Sequence, residues 1–301
     1  MTGKSAILLL AHGTPDSLDE IPEYLRNVTG GRPLPDHVVE EIRHRYSLIG
    51  SSPLTRLTLQ QGRNLAAHLG IPVYVGMRNW KPWIADALHA MRADGITQFA
   101  AICLAPQNSR TSVGLYKRAV AAEAADMHFD FTEGWHDHPL LAEAFAERLR
   151  AVYTPGTTVL FTAHSVPCRT IQTTADAAPD PYAIDAKHTA ALVAAKLGLD
   201  PGNWFFAFQS QGVSGGPWIG PTVEDTLTAL RQQDVTRIIL QPIGFLCDHV
   251  EILYDIDIAF REFASGLGME LIRPESLNDS ASLTAALADL SRKALARVQS
   301  A

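Results

Sequence analysis

The chain has 301 residues, 47% of them hydrophobic and 19% charged, with a formal net charge of −7. That length accommodates two domains of ordinary size, each able to bury a core of its own. The negative balance excludes the broad basic footprint of a nucleic-acid binder, although local basic spots still suit a small anionic ligand. Cys103, Cys168 and Cys247 are far apart and form no CxxC pair, which argues against a disulfide framework, a zinc knuckle or a four-cysteine iron–sulfur cluster. The apolar run near the N-terminus, Ile7–Leu10, is of strand rather than membrane length and carries no cleavage-site pattern. The expected compartment is the cytoplasm, with no transmembrane segment.

In chain order, a first strand is expected at Ala6–Leu10, then helices at Asp36–Leu48 and Thr55–Leu69. A strand at Val73–Gly76, a helix at Trp83–Ala93 and a strand at Phe99–Leu104 follow, then helices at Ser112–Ala125 and Leu140–Val152. The second half reads strand Thr158–Thr162, helix Ala183–Leu197, strand Trp204–Phe208, helix Val223–Gln232, strand Arg237–Gln241, helix His249–Ala264, strand Glu270–Ile272 and helix Ser282–Val298. Most strand segments are continuously apolar, as expected for strands covered on both faces. Their alternation with helices implies right-handed βαβ units and parallel sheets, an α/β protein of two similar Rossmann-like domains.

Two echoes support a duplicated half. Ile7–Pro15 (ILLLAHGTP) matches Val159–Pro167 (VLFTAHSVP), and Pro82–Thr97 matches the stretch from Pro217 to Thr236, with Arg92 opposite Arg231 and Thr97 opposite Thr236. The break is expected near Tyr153–Gly156, dividing the chain into 1–153 and 154–279, with the terminal helix 280–301 returning to the first domain. Ligands of open parallel sheets bind beyond the carboxyl ends of the strands, so a cleft between the lobes is the expected site.

His164 stands at such a strand end, where position alone favours a buried, hydrogen-bonded histidine over a reactive one. In Gly244–Phe260 (GFLCDHVEILYDIDIAF), Asp248, Glu251 and Asp255 fall at i, i+3 and i+7 on one helical face. Three like charges there repel one another, so either a cation or proton site or a solvated acidic face accounts for them. Asp248 reads as a helix N-cap. The segment Trp204–Pro221 ends a strand in Gln-Ser and continues into a glycine- and proline-rich loop suited to wall a pocket. Arg43–Leu54 (RHRYSLIGSSPL) and Ala105–Arg118 (APQNSRTSVGLYKR) set arginines, tyrosines and serines around turns, which fits a flat anionic ligand as well as ordinary polar helix starts.

Together AHGTP, RYSLIGSSPL, TAHSVP, FQSQG with PWIGP, and PIGFLCDHVEILYDID resemble the ferrochelatase family, in family order and over nearly the whole chain. The resemblance implies insertion of Fe²⁺ into a porphyrin, coproporphyrin III or protoporphyrin IX, with loss of two pyrrole protons, in haem biosynthesis. It assigns His164 and Glu251 to catalysis and to the metal, with Asp255 as the next step of an acidic relay. Arg45, Tyr46, Ser52 and Tyr116 match positions lining the porphyrin pocket. His12 falls where relatives carry another residue facing the ring. Family members extend the acidic ridge one turn past Asp255, where this chain has Ala259, and an arginine pair near Thr29-Gly30 is absent although Arg32 is close. No permanently bound cofactor is implied: Fe²⁺ and porphyrin are the substrates and only small-molecule partners, and a monomer is expected. Two other readings remain: a cobalt or nickel chelatase for another tetrapyrrole, kept open by His249, and a non-catalytic haem or porphyrin carrier using His12 as axial ligand. A carrier needs no proton acceptor, so the presence of both His164 and Glu251 speaks against it.

Overall fold

The computed structural model describes residues 4–172, 178–212 and 216–300. The chain divides into two compact units. The first comprises Met1–Ala105, Ser112–Gly134 and Asn278–Ala301, and the second Pro106–Thr111 and Trp135–Leu277. Among the described residues no helix is long and apolar enough to cross a membrane.

In the first unit, β1 (Lys4–Ala11) is followed by a 3-10 turn (Leu18–Glu20) and helices α1 (Ile21–Val28), α2 (Asp36–Ile49) and α3 (Leu54–Leu69). Then come β2 (Val73–Met77), α4 (Ile84–Ala93), β3 (Ile96–Cys103), α5 (Val113–Glu123) and β4 (His128–Thr132). The sheet order is β2-β1-β3-β4, every pairing parallel. β1 is central, and Ala6 to Leu10 are fully buried because helices cover both faces.

The second unit repeats this plan. It contains α6 (Pro139–Arg150), β5 (Thr158–His164), α7 (Cys168–Ile171), α8 (Tyr182–Leu197), β6 (Trp204–Gln209), α9 (Val223–Arg231), β7 (Arg237–Pro242) and α10 (Val250–Leu253). A π-helical stretch (Asp255–Phe260), α11 (Arg261–Gly266) and β8 (Glu270–Ile272) complete it. Its sheet order is β6-β5-β7-β8, again parallel throughout. Thus β5 holds the central place that β1 holds in the first sheet. α6, ahead of the turn at 153–156, packs along α8 in the second unit rather than with the first. Gln241 Nε2 fixes it further by donating to Phe145 O at 2.9 Å.

The last helix, α12 (Ala281–Ser300), lies in the first unit against α3, β3 and β4. Gln61 Nε2 donates to Asn278 O at 2.6 Å and Asn64 Nδ2 to Asp279 O at 3.1 Å, which pins its start. Arg297 holds Asp130 of β4 through two bonds of 3.0 and 2.7 Å, which pins its end.

The internal repeat is structural, with one shift from the sequence alignment. Parallel bridges pair Met77 with Trp83 and Phe208 with Thr222, each immediately ahead of a helix. Pro82 therefore corresponds to Pro221, not Pro217, whereas the Arg92–Arg231 and Thr97–Thr236 equivalences hold. The two arginines do the same work. Arg92 Nη2 donates to Glu123 O at the end of α5, and Arg231 Nε donates to Leu267 O at the end of α11. A cation there satisfies a terminal carbonyl and opposes the helix dipole.

The end of β5 is held by a close approach at Gly244. A Cβ at that position would lie 2.8 Å from Ala163 Cβ and 2.9 Å from Ala163 Cα. Gly244→Ala is therefore expected to destabilise the fold by about 1–3 kcal/mol. It should also displace the strand end that carries His164. A thermal melt and the ring NMR signals of His164 on one preparation check both, and an unchanged melt removes the close-packing argument.

Candidate active site

β5 runs fully buried from Val159 to Ala163, and His164 is the first side chain to emerge at its carboxyl end. Its main chain is fixed by Tyr182, whose hydroxyl donates to His164 O at 2.9 Å. The ring sits between two oxygen acceptors. Nδ1 meets Ser165 O, and Nε2 meets Glu251 Oε1 at 3.2 Å. Neither a carbonyl nor a carboxylate can donate, so satisfying both requires a proton on each nitrogen, the imidazolium form. Electrostatics agree. Burial pulls the His164 pKa down, but the Glu251 carboxylate outweighs it and raises the value to about 9. Burial likewise opposes the Glu251 charge, yet His164 and then His249 hold that carboxyl well below its usual range. About a third of each side chain stays accessible, 31% for His164 and 34% for Glu251, so the pair is open to a reactant.

Glu251 enters from α10 and is set from two sides. Gln209 Nε2 donates to its main-chain oxygen at 3.0 Å, while Gln209 Oε1 accepts from Thr162 Oγ1 at 2.6 Å. His249 Nε2 lies 3.7 Å from Glu251 Oε2. The Phe245 ring stands edge-on to His164, at 6.3 Å between centroids, and 4.7 Å from that of His249.

The three-carboxylate face expected along Asp248, Glu251 and Asp255 does not persist. α10 is only four residues long and passes into the π-helical stretch, where Tyr254 O accepts from both Ile258 N and Ala259 N. His249, not Asp248, occupies the N-cap position, so the capping expectation fails. Asp248 turns away to accept from Arg273 Nη1 at 3.1 Å and Ser276 Oγ at 2.6 Å. Asp255 is buried, accepts from Ser210 Oγ and adds to the negative field at His164. Ser210 itself adopts a left-handed φ of 62°, uncommon for a residue with a Cβ and typical of constrained sites. Among the described residues no three His, Cys, Asp or Glu side chains are grouped so as to hold a metal ion.

In the first unit, a solvent-open hollow of about 250 Å³ is lined by Pro15, Asp16, Ser17, Leu18, Tyr46 and the turn after α2. Tyr46 is buried there, its hydroxyl 3.1 Å from Thr14 Oγ1. Arg45 beside it is ion-paired with Glu41 one turn back. Ser52 is buried with its Oγ unbonded. His12, at the end of β1, is exposed and meets Tyr24 Oη and Asn79 Nδ2, each at 3.1 Å. Tyr116 lies elsewhere, in the core under the Arg78 guanidinium, 5.4 Å from its ring centre. Burial pushes its hydroxyl pKa far up.

Arg110, which the sequence offered to an anionic ligand, is committed inside the second unit. Its guanidinium donates to Thr170 O, Gln172 O and Ala178 O, and it faces Asp180. Residues 213–215 of the pocket-wall loop fall outside the described residues, but the flanking parts are placed. Ile219 N donates to Val166 O and Ser165 Oγ donates to Ile219 O, which ties the loop to the strand end below His164. Tyr182, Phe245 and Arg273 were not singled out from sequence. Each acts through a partner distant in the chain, which no local pattern signals.

Two halves of one parallel plan, with a histidine–carboxylate pair at the end of a central strand, define a chelatase-type protein. The fold agrees: the sirohydrochlorin chelatase SirB of Bacillus subtilis subspecies spizizenii, solved with cobalt, superposes with a TM-score of 0.61 at 12% identity, over 97% of this chain and 95% of that one. CbiX, described as the terminal enzyme for biosynthesis of siroheme in denitrifying bacteria, gives 0.54 at 15% identity, over 96% and 98%. The ferrochelatase family model matches residues 4–295. A ferrochelatase of Acidobacterium capsulatum is 64% identical over 99% of this chain and 97% of its own length. A protein named coproporphyrin III ferrochelatase, from a Geobacillus species, is 32% identical over 95% and 96%. The chain belongs to the ferrochelatase family, enzymes that insert ferrous iron into porphyrin in haem synthesis.

Proposed function

We propose that iron insertion by this chain runs on His164 as proton acceptor and Glu251 as its charge partner and first hold on the incoming cation. The observation that carries this is the open ion pair, with Nε2 and Oε1 3.2 Å apart at the end of β5. Two pyrrole protons leave as Fe²⁺ enters, so charge balances when a dication replaces two protons. At rest His164 holds a proton of its own. A dication drawn to Glu251 repels the imidazolium, whose proton passes to water on the open side of the pair; the freed Nε2 then accepts the two pyrrole protons one after the other, releasing each to water before taking the next. Asp255, beside Ser210, takes the next place in the relay. Distortion of the macrocycle by binding energy exposes the nitrogen lone pairs.

The porphyrin-recognising residues are assigned to the first unit: Tyr46 at the hollow, Arg45 and Ser52 next to its lining in sequence, and His12 at the end of β1. Tyr116 supports Arg78 from within the core. Four relatives bear the name coproporphyrin III ferrochelatase, so coproporphyrin III is the first substrate to try, with protoporphyrin IX beside it. The test is anaerobic Fe²⁺ insertion followed by the porphyrin spectrum. Multiple turnovers with either porphyrin support the reading; a stoichiometric spectral change without turnover points instead to a carrier.

A further inference from the structure

Four carboxylates crowd into ten residues: Asp248, Glu251, Asp255 and Asp257. Two of them are taken out of the site by one cation from a separate strand. Arg273, the residue after β8, donates from Nε and Nη2 to the two oxygens of Asp257, both at 2.7 Å, and from Nη1 to Asp248 Oδ1 at 3.1 Å. Ser276 Oγ closes the group on Asp248 Oδ1 at 2.6 Å. The Arg273 side chain is 11% exposed, and its two partners are 20% and 21% exposed. A planar fork gripped on both carboxylate oxygens fixes orientation as well as charge, which a lysine cannot reproduce.

The anchor points bracket the reactive ones. Asp248 precedes Glu251 by three residues, and Asp257 follows Asp255 by two, inside the π-helical stretch. Such stretches are rare and short, because their wide turn is poorly packed unless something outside the helix holds it. Here the outside hold at Asp257 is Arg273. With Asp257 pinned, Asp255 points to Ser210 and Glu251 to His164. Were Arg273 absent, Asp248 would keep Ser276 and Asp257 would keep Arg261 at 3.5 Å, but the two half-buried carboxylates would lose the fork that fixes their orientation.

We propose that Arg273 is a positioning residue for metal insertion: its two-sided clamp on Asp248 and Asp257 sets the wide helical turn so that only Glu251 and Asp255 face the reaction. This rests on the metal-insertion reading of the His164–Glu251 pair.

The test uses the full chain in three forms: Arg273→Met, Arg273→Lys, and Arg273→Met combined with Asp248→Asn and Asp257→Asn. Displacing a catalytic group by an ångström costs about 10- to 100-fold, so Arg273→Met should lose that much in kcat, with KM for porphyrin little changed. Arg273→Lys should recover only part of the loss. The triple variant removes the stranded charges, so its Tm should return to near wild type while its kcat does not. Hydrogen exchange at the amides of Tyr254–Phe260 should be faster in Arg273→Met than in wild type. Recovery of both Tm and kcat in the triple variant would reduce Arg273 to a stabilising ion pair and overturn the proposal. So would unchanged exchange across 254–260. If wild type itself inserts no iron, the metal-insertion reading fails, and the exchange comparison alone still decides whether the clamp holds the turn.

Discussion

His164→Ala is expected to lower the rate of metal insertion by about 10²–10⁴-fold, the range that a positioned proton acceptor supplies. The fold should tolerate the change. The ring emerges beyond the buried part of β5, and its main-chain anchor, the Tyr182 hydroxyl on His164 O, does not involve the side chain. Glu251 would keep His249 Nε2 at 3.7 Å and its partial access to water. Porphyrin affinity should also hold, since the residues assigned to recognition lie in the first unit. The measurement is pre-steady-state insertion with Fe²⁺ under anaerobic conditions, alongside a porphyrin binding titration and a thermal melt. Near-normal turnover sinks the assignment. Loss of rate, affinity and melting temperature together shows instead that the imidazole is part of the scaffold.

How much of this was readable in advance follows from where each interaction closes. Unbroken apolar runs mark strands, so the inner strands β1, β3, β5 and β7 and the edge strands β2, β6 and β8 all fall where the sequence put them. β4, reading HFDFT, does not, because a histidine and an aspartate break its apolar run. Its stabilising partners, Val298 O for His128 and Arg297 for Asp130, come from the far end of the chain. α1 was not among the expected helices; it is short and carries Pro22 in its first turn, where a proline lacks only a donor that would be unbonded anyway. Glu251 and Asp255 were visible by helical spacing. The wide turn between α10 and α11 was not, since it is held by Arg273 from beyond β8 and by Ser210 after β6. That is also why Asp248 was misread as a cap: its partner lies 25 residues further on.

Glu251→Gln should separate two jobs that the carboxylate performs. The first is its hold on the imidazolium, which raises the His164 pKa to about 9. A base must be unprotonated to accept, so without metal at neutral pH only about one part in a hundred of His164 is competent. Removing the charge should drop the titration midpoint towards the ordinary histidine value of about 6.5. Ring NMR on the metal-free protein reads this directly, and a midpoint left at about 9 in the variant would show that Glu251 is not the partner in solution. Stability follows the same sign. The contribution of a raised histidine is complete below about pH 6.5 and is lost as pH climbs through about 9, whereas that of the depressed Glu251 carboxyl is lost as pH falls below its ordinary range. The stability gap between wild type and Glu251→Gln should therefore be widest in mildly acidic buffer and close in alkaline buffer. The second job is the attraction of the dication, which no shift of the histidine replaces. Even where His164 is fully neutral, the variant's insertion rate should stay well below wild type, with porphyrin KM little changed. A variant that matched wild type once its histidine was deprotonated would confine Glu251 to tuning the base, and the first hold on iron would pass to another oxygen, with Asp255 the next carboxylate along the chain.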